Sequence, residues 1–159
     1  VHRDLLRREL VFLDWSEPDQ KAVLNRVSVA LEDKGYVRPS FRAALVAREE
    51  AYPTALPLAP EAVAIPHCDP EHVVVPFIAL LRLGAPVPWR EMGRDQVVHD
   101  VRLVLVLGLT GNGGHLETLQ QLLQALQQPG LTTTMLAARS TEDYLVAVRE
   151  AVAGGSSRP

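Results

Sequence analysis

The chain has 159 residues and one cysteine, so it is long enough for a single domain with a substantial core and cannot form an intrachain disulfide. A net charge of -3, with basic residues dispersed among acidic ones, removes the electrostatic case for a DNA or RNA partner. Apolar residues make up 47% and aromatics only 5%, so the core must be built from Leu, Val and Ala, which suits an α/β sandwich.

The lone Cys68 fits a reducing, cytoplasmic setting, and the longest apolar runs, Val73–Leu83 and Val101–Leu109, are too short to span a bilayer. In chain order, Leu10–Leu13 has strand composition. Ser16, Glu17 and Pro18 look like a helix start. Val23, Val27, Ala30 and Leu31 then recur at helical spacing, and Gly35 stands where a C-terminal cap is expected. A second helix opens at Pro39 and Ser40. Its stripe of Phe41, Ala44 and Leu45, continued at helical spacing, lands on Arg48 and aims a guanidinium at the packed side. Pro53 and Thr54 end this helix in a loop.

Next comes Val63-Ala64-Ile65-Pro66-His67-Cys68-Asp69-Pro70-Glu71-His72, where an apolar run stops at a proline and an imidazole follows. Pro66 stiffens the backbone into His67 and Pro70 closes the far side, so the ring sits exposed on a short rigid loop. Val73–Leu83 reads as a strand with Pro76 at its start or edge, broken by Gly84, Pro86 and Pro88; Trp89, Glu91, Met92 and Gly93 then fall in a loop. Val101–Leu107 is apolar enough for a central strand covered on both faces. Thr110-Gly111-Asn112-Gly113-Gly114-His115 turns into a helix striped by Leu116, Leu119, Leu122, Leu123 and Leu126. The amides near Gly113 and Gly114 can receive an anion, although the lysine and spacing of a nucleotide-binding P-loop are missing. Pro129 and Gly130 close that helix. Leu131–Ala138 fits either a short strand or an irregular connection, and Ser140 with Asp143 starts a last helix through Leu145, Val148 and Val152. Residues 1–153 thus read as one domain and 154–159 as a flexible tail.

Two histidines, His67 and His115, each follow an apolar strand-like segment, and loops at strand ends of an α/β sheet converge on one edge, where ligands bind. Phosphoryl relay is the chemistry that fits. A neutral imidazole, with an ordinary pKa of about 6.5, offers a nucleophilic lone pair. A loose, in-line transfer asks mainly for position and for donors around the moving oxygens. Arg48 can supply a forked pair of donors, His115 another, and the Gly113 and Gly114 amides the rest. Asp69 is either an orienter of the ring or a turn former.

The pattern Gly35-Tyr36-Val37, Phe41, Arg48-Glu49, Pro53-Thr54, Ala64-Ile65-Pro66-His67, Val73, Pro76, Arg82, Trp89, Val101 and His115-Leu116 resembles the enzyme IIA domain of the phosphoenolpyruvate-dependent sugar phosphotransferase system. It is similar to the fructose/mannitol type, and Asp69-Pro70-Glu71-His72-Val73 with Met92-Gly93 leans toward the galactitol-like branch. The resemblance implies a three-layer α/β sandwich, a mixed sheet flanked by helices on both faces. It implies that His67 accepts a phosphoryl group from the phosphocarrier HPr and hands it to a cysteine of a IIB component, which serves a membrane IIC component. It further implies Arg48 and His115 as companions, Thr54 beside Gly113 and Gly114 as a phosphate-stabilising candidate, and neither metal nor cofactor. Cys68 departs from the small hydroxyl or glycine residue that family members carry there, and reads as a packing residue.

Two rival readings keep some of these residues. In one, the same domain is a regulator, nitrogen-related or part of a transcription regulator, and phosphorylation of His67 is a signal. In the other, His67, Cys68, Asp69, His72 and His115 gather around zinc, but Pro70 keeps His67 and His72 off a common helical face. His72 and His99 otherwise stand where no ligand is needed.

Overall fold

The computed structural model of the chain describes residues 5–110 and 115–156. Its centre is a hairpin of two long strands, β4 (Phe77–Glu91) and β5 (Arg94–Gly108), turned over Met92 and Gly93, with Gly93 at a φ of 76 that favours glycine. β1 (Val11–Trp15) runs parallel along β4, pairing Val11 with Leu80. On the other side β3 (Val63–Ala64) runs parallel along β5, and β2 (Ala55–Leu56) pairs antiparallel with β3 while touching the end of β4 through Ala55 and Glu91.

Side-chain alternation along these strands divides the interior in two. Phe77, Ala79, Leu81 and Leu83, with Val104 and Val106, pack against α1 (Gln20–Asp33) and α2 (Phe41–Ala51) through Val23, Leu24, Val27, Leu31, Phe41 and Leu45. Ile78, Leu80, Leu103, Leu105 and Leu107 face α3 (His115–Leu126), α4 (Leu131–Ala137) and α5 (Thr141–Ser156). The result is the expected three-layer sandwich with a mixed sheet.

Several boundaries differ from those expected, each for a local reason. α1 is capped by Asp19, whose carboxylate accepts from the Ala22 amide at 2.8 Å, rather than by Ser16, so Pro18 stays outside the helix. Val73–Val75 do not begin a strand: the Val74 and Val75 amides are held by the Tyr36 carbonyl at 2.8 and 3.1 Å, and β4 starts only after Pro76. Gly84, Pro86 and Pro88 do not break β4, because the pairing with β5 shifts register between Arg82 and Val87, which leaves Pro86 in a bulge where no ladder amide is required. Trp89 and Glu91 therefore lie in the strand, and only Met92 and Gly93 turn. Leu131–Ala137 is a helix, neither strand nor irregular. The capping hydroxyl of Ser140 accepts from the Asp143 amide at 3.0 Å as expected, and α5 extends through Ser156, into the stretch expected to be a tail. Among the described residues no helix is long and apolar enough to cross a membrane.

Gly108, the last residue of β5, is required by close approach. A Cβ there would lie 2.0 Å from Phe77 Cε1, within a ring that is fully buried against Tyr36 and Phe41. Gly108→Ala is expected to destabilise the fold by about 2 kcal/mol or more, through forced displacement of that ring. Urea denaturation measures it, and an unchanged midpoint would show that the ring yields freely.

Candidate functional site

Hydrogen bonding to two strands places His67. The Ile65 amide donates to the Thr54 carbonyl at 3.3 Å, the Leu107 amide donates to the Pro66 carbonyl at 2.9 Å, and His67 forms a parallel bridge with Leu107. The loop is thus an extension of β3 along the end of β5. The ring is half-buried, and its Nδ1 lies 2.8 Å from the Ile65 carbonyl oxygen. A carbonyl can only accept, so Nδ1 carries the proton and Nε2 is left with its lone pair. Asp69, a candidate orienter of the ring, does not hold Nδ1; the backbone of Ile65 does.

Asp69 instead receives Arg48. The guanidinium Nη1 is 3.2 Å from Asp69 Oδ1, and the same group stands 5.0 Å over the Tyr52 ring. Helical spacing was expected to turn Arg48 toward the packed side, yet Phe41, Leu45 and Glu49 take the buried positions and Arg48 sits at the rim with 38% of its side chain exposed. An exposed pair of this kind contributes well under about 1 kcal/mol to stability, so the guanidinium can leave Asp69 for another anion at little cost.

Glu49 stands in the sequence only as part of the Arg48-Glu49 pattern and without a role, although the spacing 41, 45, 49 points to the interior. Its carboxylate is buried, accepting from Thr54 Oγ1 at 2.6 Å and from the Thr54 amide at 2.7 Å. Burial pushes its pKa up to about 7, against the Thr54 hydrogen bonds and the Arg90 charge, which favour the ionised form. The Trp89 indole N–H also favours that form but closes no hydrogen bond of normal geometry. Thr54, expected to donate to a phosphoryl group, is itself 2% exposed and directs both of its donors at Glu49.

β3 and β5 are parallel neighbours, so the loops leaving them start from the same sheet edge, and α3 opens at His115, eight residues after Leu107. Gly113 and Gly114 lie outside the described residues, as does the His115 side chain. Cys68 packs against the α1/α2 core, and burial with the Asp69 charge pushes its thiol up to about 12, so it stays protonated and unreactive. His72 Nδ1 lies 2.8 Å from Oγ of Ser40, the residue preceding α2, and His99 Nε2 lies 2.8 Å from Glu91 Oε1. Among the described residues no three His, Cys, Asp or Glu side chains come together as metal ligands. His67, Cys68, Asp69 and His72 do not gather as the zinc reading required.

Residues 4–150 match the family described as "Phosphoenolpyruvate-dependent sugar phosphotransferase system, EIIA 2". The chain belongs to this EIIA family. It is accordingly a phosphotransferase component of a phosphoryl relay. Galactitol-specific EIIA components of Escherichia coli K12 and O157:H7 are each 33% identical over 137 residues, 86% of this chain and 87% of theirs. Among solved structures, the IIA of E. coli IIAMtl in complex with phosphorylated IIBMtl superposes with a TM-score of 0.75 at 21% identity, covering 91% of this chain and 97% of that one. The nitrogen regulatory protein IIA-Ntr of Neisseria meningitidis gives 0.75 at 24% identity over the same shares, 91% and 97%. At such identities these two likenesses establish the shared fold of the EIIA domain.

Proposed function

We propose that His67 Nε2 is the phosphoryl acceptor, loaded from phospho-HPr and discharged to a cysteine of a IIB component on the cytoplasmic face of a sugar uptake system. The observation that carries this reading is the bond from Nδ1 to the Ile65 carbonyl, which leaves one lone pair on a half-exposed ring. In the first transfer the Nε2 lone pair forms a new P–N bond as the donor's P–N bond breaks. The proton stays on Nδ1, and the Ile65 carbonyl that accepts its hydrogen bond stabilises the positive charge that the phosphorylated ring acquires. In the second transfer a thiolate takes the phosphoryl group and the lone pair returns to Nε2. Arg48 exchanges its Asp69 partner for the phosphoryl oxygens, which its forked donors suit. His115 is the companion that the resemblance implies, and the amides of Gly113 and Gly114 are the further donors that the glycine-rich helix start suggests. The galactitol-specific relatives favour galactitol or a similar alditol as the sugar that the partner membrane component carries.

Incubation with phosphoenolpyruvate, enzyme I and HPr, followed by intact-mass measurement, tests the assignment. The wild type should gain one phosphoryl group and His67→Ala none. A gain that survives His67→Ala would overturn it. Arg48→Ala should slow loading about 10- to 100-fold with an unchanged thermal transition; a collapsed transition would mark Arg48 as structural.

A further inference from the structure

Ile65 is bonded at both of its polar groups. Its amide donates to the Thr54 carbonyl at 3.3 Å and its carbonyl accepts the His67 Nδ1 proton at 2.8 Å. Thr54 in turn is held by Glu49 through its own amide, at 2.7 Å, and its hydroxyl, at 2.6 Å. All of Glu49, Thr54 and Ile65 are buried, so water does not substitute for a lost partner. The links form one line from a carboxylate on α2, next in sequence to Arg48, through a loop and a strand end, to the proton of the reacting ring.

We propose that Glu49 and Thr54 are positioning residues for His67, acting through Ile65 to fix the orientation of the ring and the tautomer that leaves Nε2 unprotonated. Neither touches the phosphoryl group. A buried carboxylate that served only to close the end of α2 would need the Thr54 amide alone. Here the hydroxyl is recruited as well, and the carbonyl of the same residue is the acceptor for Ile65. Rotation of the Thr54 peptide would swing the Ile65 amide and release the carbonyl that orients the imidazole. A misplacement of about 1 Å at a reacting centre costs about 100-fold in rate.

This inference rests on His67 being the acceptor, and the experiment separates the two. With 15N-histidine-labelled protein, the ring nitrogen shifts report the tautomer of His67, and loading by phospho-HPr is timed on the same samples. In the wild type the proton should reside on Nδ1. Glu49→Ala and Thr54→Val should each leave a mixture of tautomers and slow loading about 10-fold or more, with the HPr concentration dependence unchanged. Glu49→Gln, whose amide can donate to Thr54 Oγ1 and accept from the Thr54 amide, should restore the Nδ1 tautomer and most of the rate, as should Thr54→Ser. A wild type that takes no phosphoryl group defeats the acceptor assignment. A wild type that loads normally, beside folded Glu49→Ala and Thr54→Val variants with the wild-type tautomer and rate, defeats the positioning role alone. Should Glu49→Ala not fold, Thr54→Val against Thr54→Ser carries the comparison; if neither alanine nor valine variant folds, a Glu49→Gln protein with the wild-type fold but a mixed tautomer would also overturn it.

Discussion

Arg82→Ala should lower the stability of the folded chain by about 3 kcal/mol, the largest single loss expected outside the apolar core. Arg82 lies on β4 with its side chain 8% exposed, and every arm of the fork is in use. Nε and Nη2 reach the two Asp14 oxygens at 3.0 Å each, while Nη1 donates to the carbonyls of Met135, Leu136 and Ala138 at 3.0, 3.3 and 2.5 Å. The last three are the open carbonyls at the C-terminal end of α4, a helix of 7 residues that is too short to persist on its own. One guanidinium thus ties the end of α4 to β4, and β4 to the left-handed Asp14 at a φ of 61. The same contact holds the Asp14 carboxyl below its ordinary range. Arg82→Lys should recover less than half of the loss, because an ammonium has three donors on one atom and cannot face a carboxylate and a helix end together. Urea denaturation followed by circular dichroism gives both numbers, and a loss below about 1 kcal/mol for the alanine variant would mean that water replaces the guanidinium without penalty.

The second large effect is a pH dependence carried by Glu49. Its pKa is raised from an ordinary 4.5 to about 7, chiefly by burial, so between these values the folded protein keeps a proton that the unfolded chain has released. Stability from this group is therefore complete below pH 4.5, falls as pH rises, and is gone above about 7, a difference of about 3 kcal/mol. Other groups titrate in the same range, so the measurable quantity is the wild-type unfolding free energy minus that of Glu49→Gln across pH 4 to 8. Glu49→Gln copies the protonated carboxyl and should gain on the wild type as pH rises. A difference that stays flat would place the Glu49 pKa in the ordinary range.

The layers of the fold are legible in the sequence because they depend on alternation and helical spacing, which survive any detail of packing. Val101–Leu107 reads as a strand buried on both faces and is one. Features set by distant contacts are not legible. α4 is held by Arg82 from a strand 53 residues away, so Leu131–Ala137 carries too weak a local signal to be recognised as a helix. Pro86 looks like a strand breaker until the bulge that accommodates it is known, and Pro88 until its place opposite Asp100 is seen. At the site, His67 and Arg48 stand out because an imidazole after a strand and a guanidinium on an apolar stripe are chemically conspicuous. Glu49 did not, since a carboxylate beside an arginine reads as its surface partner, whereas it faces Thr54 in the interior. The orienting group for the ring is a main-chain carbonyl, and no residue type announces that.

The bond that commits Nδ1 to the main chain also limits what the carrier can do at one time. With His67 as the proposed acceptor, a ring with a single open nitrogen has one approach, so a protein that loads it and a protein that unloads it would visit by turns over the same patch of surface. Traffic through such a carrier is ping-pong in form. Each visitor would then compete with the other for that patch, so an excess of either would slow the other's exchange.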